Sequence, residues 1–181
     1  MAVTEGQKII LGSGKLYVAE FTGTIPADAT IEAEANLLGK IVGGATLEYK
    51  PTFYKAQDDM QTVSKTVLTA EEASLKSGLM TINGDTFSKI SPTARVTEAA
   101  GKRTVKIGGI ANQDGKQYVI RFLHEDPSEG DIRLSIVGTN QAGFTLSFLK
   151  DKETAVDVEF KADPIDDEGT LIIYEEEIPV V

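Results

Sequence analysis

The sequence predicts a mainly β fold: a β-sandwich or barrel with one short flanking α-helix, an extended N-terminal arm and a long inter-strand loop. Three observations predict it. Segments in which apolar and polar residues alternate recur along the chain, the mark of half-buried strands. In the second half they are separated by turn-rich stretches at a spacing of roughly 8–12 residues, as in sandwiches and barrels. Only one stretch carries both a start and a stop signal for a helix.

The elements follow in order. Residues 1–13 read as an arm, and residues 14–181 as one β domain. Gly14–Phe21 is a strand, with Leu16 and Val18 on one face and Tyr17, Ala19 and Phe21 on the other. Thr22–Asn36 is small, polar and acidic and reads as a surface loop. Leu37–Val42 is a short strand, and Gly43-Gly44 marks a turn or bulge. Ala45–Tyr54 alternates cleanly, but Pro51 has no N–H for a ladder, so the strand runs along an edge, bulges or leaves its sheet. Lys55–Met60 is a loop and Gln61–Leu68 a strand. Thr69-Ala70-Glu71-Glu72 matches a capping box, and Gly78 stands where a left-handed C-cap belongs, so Ala70–Ser77 is the predicted helix. Asn83-Gly84 is a turn signal. Further strands are expected at Arg103–Gly109, Lys116–His124, Ile132–Val137, Phe144–Leu149, Ala155–Lys161 and Thr170–Glu175.

Composition excludes several chemistries. The chain has 181 residues, 28 Asp and Glu against 18 Lys and Arg, a formal charge of −10, and no cysteine. Disulfides, thiolate nucleophiles and Cys-ligated zinc are ruled out. A net acidic surface repels nucleic acid, whose binding requires cations that displace counterions. The start lacks the long apolar stretch of a signal peptide, and no segment approaches the roughly 20 apolar residues that span a bilayer. A soluble chain without a membrane anchor, made in the cytoplasm, is expected.

The motifs that could carry catalysis fail on spacing. His124 is the one histidine, and His124-Glu125 lacks the second zinc-binding histidine because Ser128 stands at that place. His124 is expected at the surface or in a loop. Gly12-Ser13-Gly14-Lys15 lacks the upstream glycine and the Ser or Thr of a phosphate loop, and precedes a strand; it reads as a hinge. The acidic runs Glu125–Asp131 and Asp163–Gly169 depart from EF-hand spacing and read as solvated turns. No catalytic, cofactor-binding or metal-binding residue is expected. Glu175-Glu176-Glu177 has two open readings: a solubilising end to an edge strand, or an acidic patch facing a partner or a cavity.

The order of elements resembles the phage tail tube, or major tail protein, family of long-tailed phages. The residues that carry the resemblance are the arm through Ser13, Gly14–Phe21, the long loop, Ala45–Lys50, the loop around Lys55–Gln61, the helix Ala70–Ser77, and the ending Val156–Pro164 with Gly169–Tyr174. The resemblance implies a structural virion protein that assembles as stacked hexameric rings. These rings form a conduit for DNA, which passes through without specific binding. It further implies tape measure, tail terminator and tail-tip proteins as partners, and a place in the phage tail. Under it, Val3, Ile9, Ile10, Phe53, Tyr54, Asp58 and Asp59 are candidate inter-ring or inter-subunit contacts. Phe53 and Tyr54 have a second reading as core. Glu175, Glu176 and Glu177 are candidate lumen or interface charges. A competing expectation is a monomeric β-sandwich binding module of a virion, for carbohydrate or a host surface; the absence of Trp weighs against it.

Overall fold

The structure, a computed structural model, describes residues 10–178. It is mainly β. The elements are β1 (Lys15–Glu20), α1 (Asp28–Ile31), a 3-10 turn (Glu34–Asn36), β2 (Leu37–Gly39), β3 (Ile41–Gln57), β4 (Ser64–Leu79), α2 (Gly84–Ile90), β5 (Arg95–Ala99), β6 (Lys102–Lys106), a 3-10 turn (Ile110–Asn112), β7 (Tyr118–His124), β8 (Ile132–Asn140), β9 (Val156–Asp163) and β10 (Ile173–Glu176).

Eight strands form one antiparallel sheet in the order β2-β1-β7-β8-β9-β4-β3. β10 and β9 share one edge of β8: β10 pairs with Ile132–Ser135, and β9 takes over from Val137. The two ends of the sheet, β2 and β3, are joined by Lys40 alone. In a flat sheet those ends would stand roughly 29 Å apart, six strand spacings. The sheet therefore curls until its ends meet, in the manner of a barrel. The seam is tied across Lys40: its N–H donates to Thr81 Oγ1 (2.7 Å), and its carbonyl accepts from Met80 N (2.7 Å).

The curl encloses the main core. Leu16, Val18, Leu75, Ile120, Ile136, Val156 and Phe160, from five strands, are buried there, with Ile90 of α2 at one end. A second, smaller core lies on the outer face of β1, β7 and β8, where Tyr17, Val119, Leu123 and Val137 are covered by Ile31. The Thr22–Asn36 stretch, expected as a surface loop, is thus a lid. Ile31 is the anchor that its polar neighbours conceal.

Three further expectations are corrected. Ala70–Ser77 is strand, not helix. A helix of two turns has little intrinsic stability, because nucleation costs more than a short run recovers. The same residues gain two partners as a strand: β3 along its whole length and β9 from Ser74 to Leu79. Alternation prevails, with Ala73, Leu75, Ser77 and Leu79 buried. The longer helix lies downstream, where Asn83-Gly84 looked like a turn. Asn83 Oδ1 accepts from Thr86 N (3.0 Å), and Thr86 Oγ1 accepts from Asn83 N (3.2 Å), a reciprocal cap for α2. Phe144–Leu149 is not a strand; Phe144 and Leu146 pack against the core from an irregular segment. Gly43-Gly44 is a bulge, both residues at φ +77°, and the register jumps from Val42↔Gly78 to Ala45↔Ser77.

Candidate functional site

The feature that the core does not explain is the β3–β4 hairpin. β4 loses β9 beyond Ser74, and among the described residues β3 has no neighbour but β4. From the Lys50↔Glu72 pair to Gln57↔Ser64 the two strands form a free ribbon. Seven residue steps give it a reach of about 24 Å. Every residue from Tyr49 to Gln57 and from Ser64 to Glu72 is exposed.

The ribbon carries apolar pairs on both faces. Cross-strand partners share a face, so Tyr49, Phe53 and Leu68 lie on one side and Tyr54 and Val67 on the other. The register slips between Thr52 and Phe53, leaving Thr69 as the extra residue of a bulge. Its hydroxyl donates to Thr52 O (3.1 Å). Without that slip, Leu68 and Val67 would exchange faces. Phe53 is 59% and Tyr54 63% exposed, and Met60 at the tip is 83% exposed.

The tip and the base of the ribbon are built by polar groups. The Asp58 carboxylate accepts from Thr62 Oγ1 (2.6 Å) and Val63 N (2.8 Å), and Gln61 N donates to Asp58 O (2.9 Å). The Thr62 hydroxyl first, and the Val63 amide after it, hold the Asp58 carboxyl below the usual range. At the base, Glu48 pairs with Lys50 (2.7 Å) and Lys76 (3.2 Å), and Lys76 reaches Glu159 (3.4 Å). Tyr49 donates to Glu71.

The other predicted site residues fall as follows. Phe53 and Tyr54 are exposed on the ribbon, which removes their reading as core. Asp58 organises the tip and Asp59 sits beside it in the turn, exposed. The strand runs on to Gln57, so half of the expected Lys55–Met60 loop is ladder. Ile10 is 52% exposed; Val3 and Ile9 lie outside the described residues. The three glutamates divide. Glu175 and Glu177 face a guanidinium cluster, with Glu175 at 3.7 Å from Arg121 and Glu177 at 2.7 Å from Arg133. Glu176 lies on the opposite face of β10, within 3.4 Å of the Tyr174 hydroxyl.

That cluster escaped the sequence reading. Arg121 is buried on the outer face of β7, donating to Ser135 Oγ (2.6 Å), Asp28 (2.6 Å) and Glu32 (3.2 Å). Arg133 donates to Glu32 (2.7 Å) and Glu177 and meets Asp131 (3.5 Å). Contributors lie on α1, β7, β8 and the residues next to β8 and β10, far apart in sequence. A buried charge without partners is costly, so Arg121 and Arg133 in alternating strands were the available signal.

His124 is buried, against expectation. Its Nδ1–H donates to Ser13 O (2.8 Å), because a carbonyl can only accept, and Nε2 is buried without a partner among the described residues. The chain at Gly12–Ser13 crosses the end of β7 and covers the ring. The Asp126 carboxylate accepts from the Ser128 amide and hydroxyl and from Glu129 N; Asp166 accepts from Glu168 N and Thr170 N. Those carboxylates build turns. No helix among the described residues is long and apolar enough to cross a membrane. No protein-family model and no curated protein sequence matches the chain.

Proposed function

We propose that the chain is a non-enzymatic structural subunit of a phage tail tube. In this reading it assembles with itself into stacked hexameric rings that conduct DNA, and resides in the virion. The tape measure, terminator and tail-tip proteins are the further partners that the sequence resemblance implies. One observation carries the assembly reading: the outer halves of a 17-residue and a 16-residue strand extend as a two-stranded ribbon with aromatic and aliphatic residues on both faces. A two-stranded ribbon alone is marginal in water. Burial of both faces against neighbouring subunits supplies the apolar contact that the monomer lacks, with Phe53 and Tyr54 as the anchors. The charge of −10 per chain suits a conduit that lets DNA slide, because phosphate finds few cations to hold it.

Sedimentation velocity and negative-stain microscopy of the purified protein test this. The unmodified chain is expected to form rings or tubes. The double variant Phe53→Asp/Tyr54→Asp is expected to stay monomeric, with unchanged melting of the barrel. Strictly monomeric wild-type particles at every protein and salt concentration would overturn the proposal.

A further inference from the structure

The small β5–β6 sheet is a basic surface on an acidic molecule. Residues 95–106 hold four cations and one carboxylate, while the whole chain carries −10. The strands pair Arg95↔Lys106, Thr97↔Thr104 and Ala99↔Lys102, so these six residues share a face. The opposite face, with Val105 and Arg103, is turned to α2, where Arg103 pairs with Asp85 (3.1 Å). The outer face therefore presents Arg95, Lys102 and Lys106 among small neutral residues. All three are exposed, and none forms an ion pair among the described residues. Arg95 and Lys106 stand directly opposite each other, an arrangement that repels. A monomer gains nothing from it.

The complement lies on the outer wall of the barrel, toward the end at which β8 starts. Around Arg121 and Arg133, five carboxylates meet two guanidiniums, so three negative charges are in surplus. The side chains of Asp28, Glu175 and Glu177 remain 52–55% exposed. Arg133 is near the start of β8. Asn140, at its end, donates to Ile90 O (2.9 Å) and ties down the helix that carries the basic sheet. Seven steps of strand put about 24 Å between those two anchor points. β4 and β8 both run antiparallel to β9, so the tip of the ribbon lies toward the acidic end as well.

We infer that the β5–β6 face docks on the acidic Asp28–Glu175–Glu177 surface of a second copy, in a head-to-tail contact. Surplus charges match, three against three, and they lie toward opposite ends of β8. That is the geometry of a heterologous interface that repeats along an axis. Charge complementarity sets the register and polarity of stacking, while the apolar ribbon supplies contact area. The inference rests on the self-assembly reading and specifies the face that meets the next copy.

The test uses the full chain. Zero-length carbodiimide cross-linking of mixed 15N-labelled and unlabelled protein is expected to join Lys102 or Lys106 to Asp28, Glu175 or Glu177 between copies. Lys102→Glu/Lys106→Glu is expected to raise the concentration needed for assembly at least about tenfold, with unchanged thermal melting. Adding Glu175→Lys to that chain is expected to recover part of the loss. Unchanged assembly of the double variant, failure of Glu175→Lys to recover any of its loss, or inter-copy cross-links that avoid this face would overturn the inference while leaving the ribbon reading intact. So would binding of duplex DNA by wild type, lost in the double variant with assembly unchanged. A wild-type chain that never assembles would instead overturn the self-assembly reading itself.

Discussion

Glu32 accepts from two guanidiniums at once, Arg121 at 3.2 Å and Arg133 at 2.7 Å, and its side chain is only 16% exposed. Removing one partner of a buried pair leaves the other charge stranded in a poor solvent for it. Glu32→Ala is therefore expected to destabilise the chain by about 3 kcal/mol in urea unfolding. Glu177→Ala, at the exposed rim of the same cluster, is expected to change stability far less. Ala100 offers the opposite case. It sits at φ +49°, followed by Gly101 at +74°, in a two-residue turn between β5 and β6. Both central positions of such a turn want left-handed backbone, which Asn tolerates and Ala resists. Ala100→Asn is expected to stabilise the protein by about 1 kcal/mol, read from the same unfolding curves. The Glu32 cluster is not visible in the local sequence, because Glu32 meets its partners across 89 and 101 residues of chain.

At the scale of elements, the ribbon depends on how its tip is closed. The Asp58 carboxylate accepts from both Thr62 and Val63, and protonation weakens these bonds by taking its charge away. Its folded pKa lies below the ordinary 3.8. A depressed acid stabilises the fold fully above its unfolded pKa, and loses that contribution as pH falls through the folded value. Asp126 and Asp166, held low by the Ser128 hydroxyl and the Thr170 amide, behave in the same way. Thermal melting is expected to stay level from pH 7 to pH 5 and to fall below about pH 4. Tip amides, read by hydrogen exchange, are expected to lose protection over the same range. Strands were largely legible from alternation: β1, β3, β7, β8 and β9 stand close to where it placed them. Ala70–Ser77 was misread because its capping signals are local, while the pairing that decides its state is with β3 and β9. Asn83 was misread because one dipeptide serves both hairpin turns and helix caps; Thr86, three residues on, made the difference.

At the scale of the whole molecule, the barrel closes because Lys40 links the first and last strands of the sheet. Among the described residues, two paired-strand elements stand outside the closed wall, the ribbon and the small basic sheet. Both are two-stranded, both expose residues that a monomer does not need, and both are the regions assigned here to contacts between copies. The sequence by itself determined the β class, the lack of cysteine chemistry, the acidic balance and the alternation of nearly every core strand. These follow from composition and from neighbours two residues apart. Only the tertiary structure decided that Phe53 and Tyr54 are exposed, that Glu175 and Glu177 face arginines, and that acidic and basic surfaces are separate. The reason is physical: exposure and charge pairing depend on which distant strand stands alongside, and alternation records a face without recording what covers it.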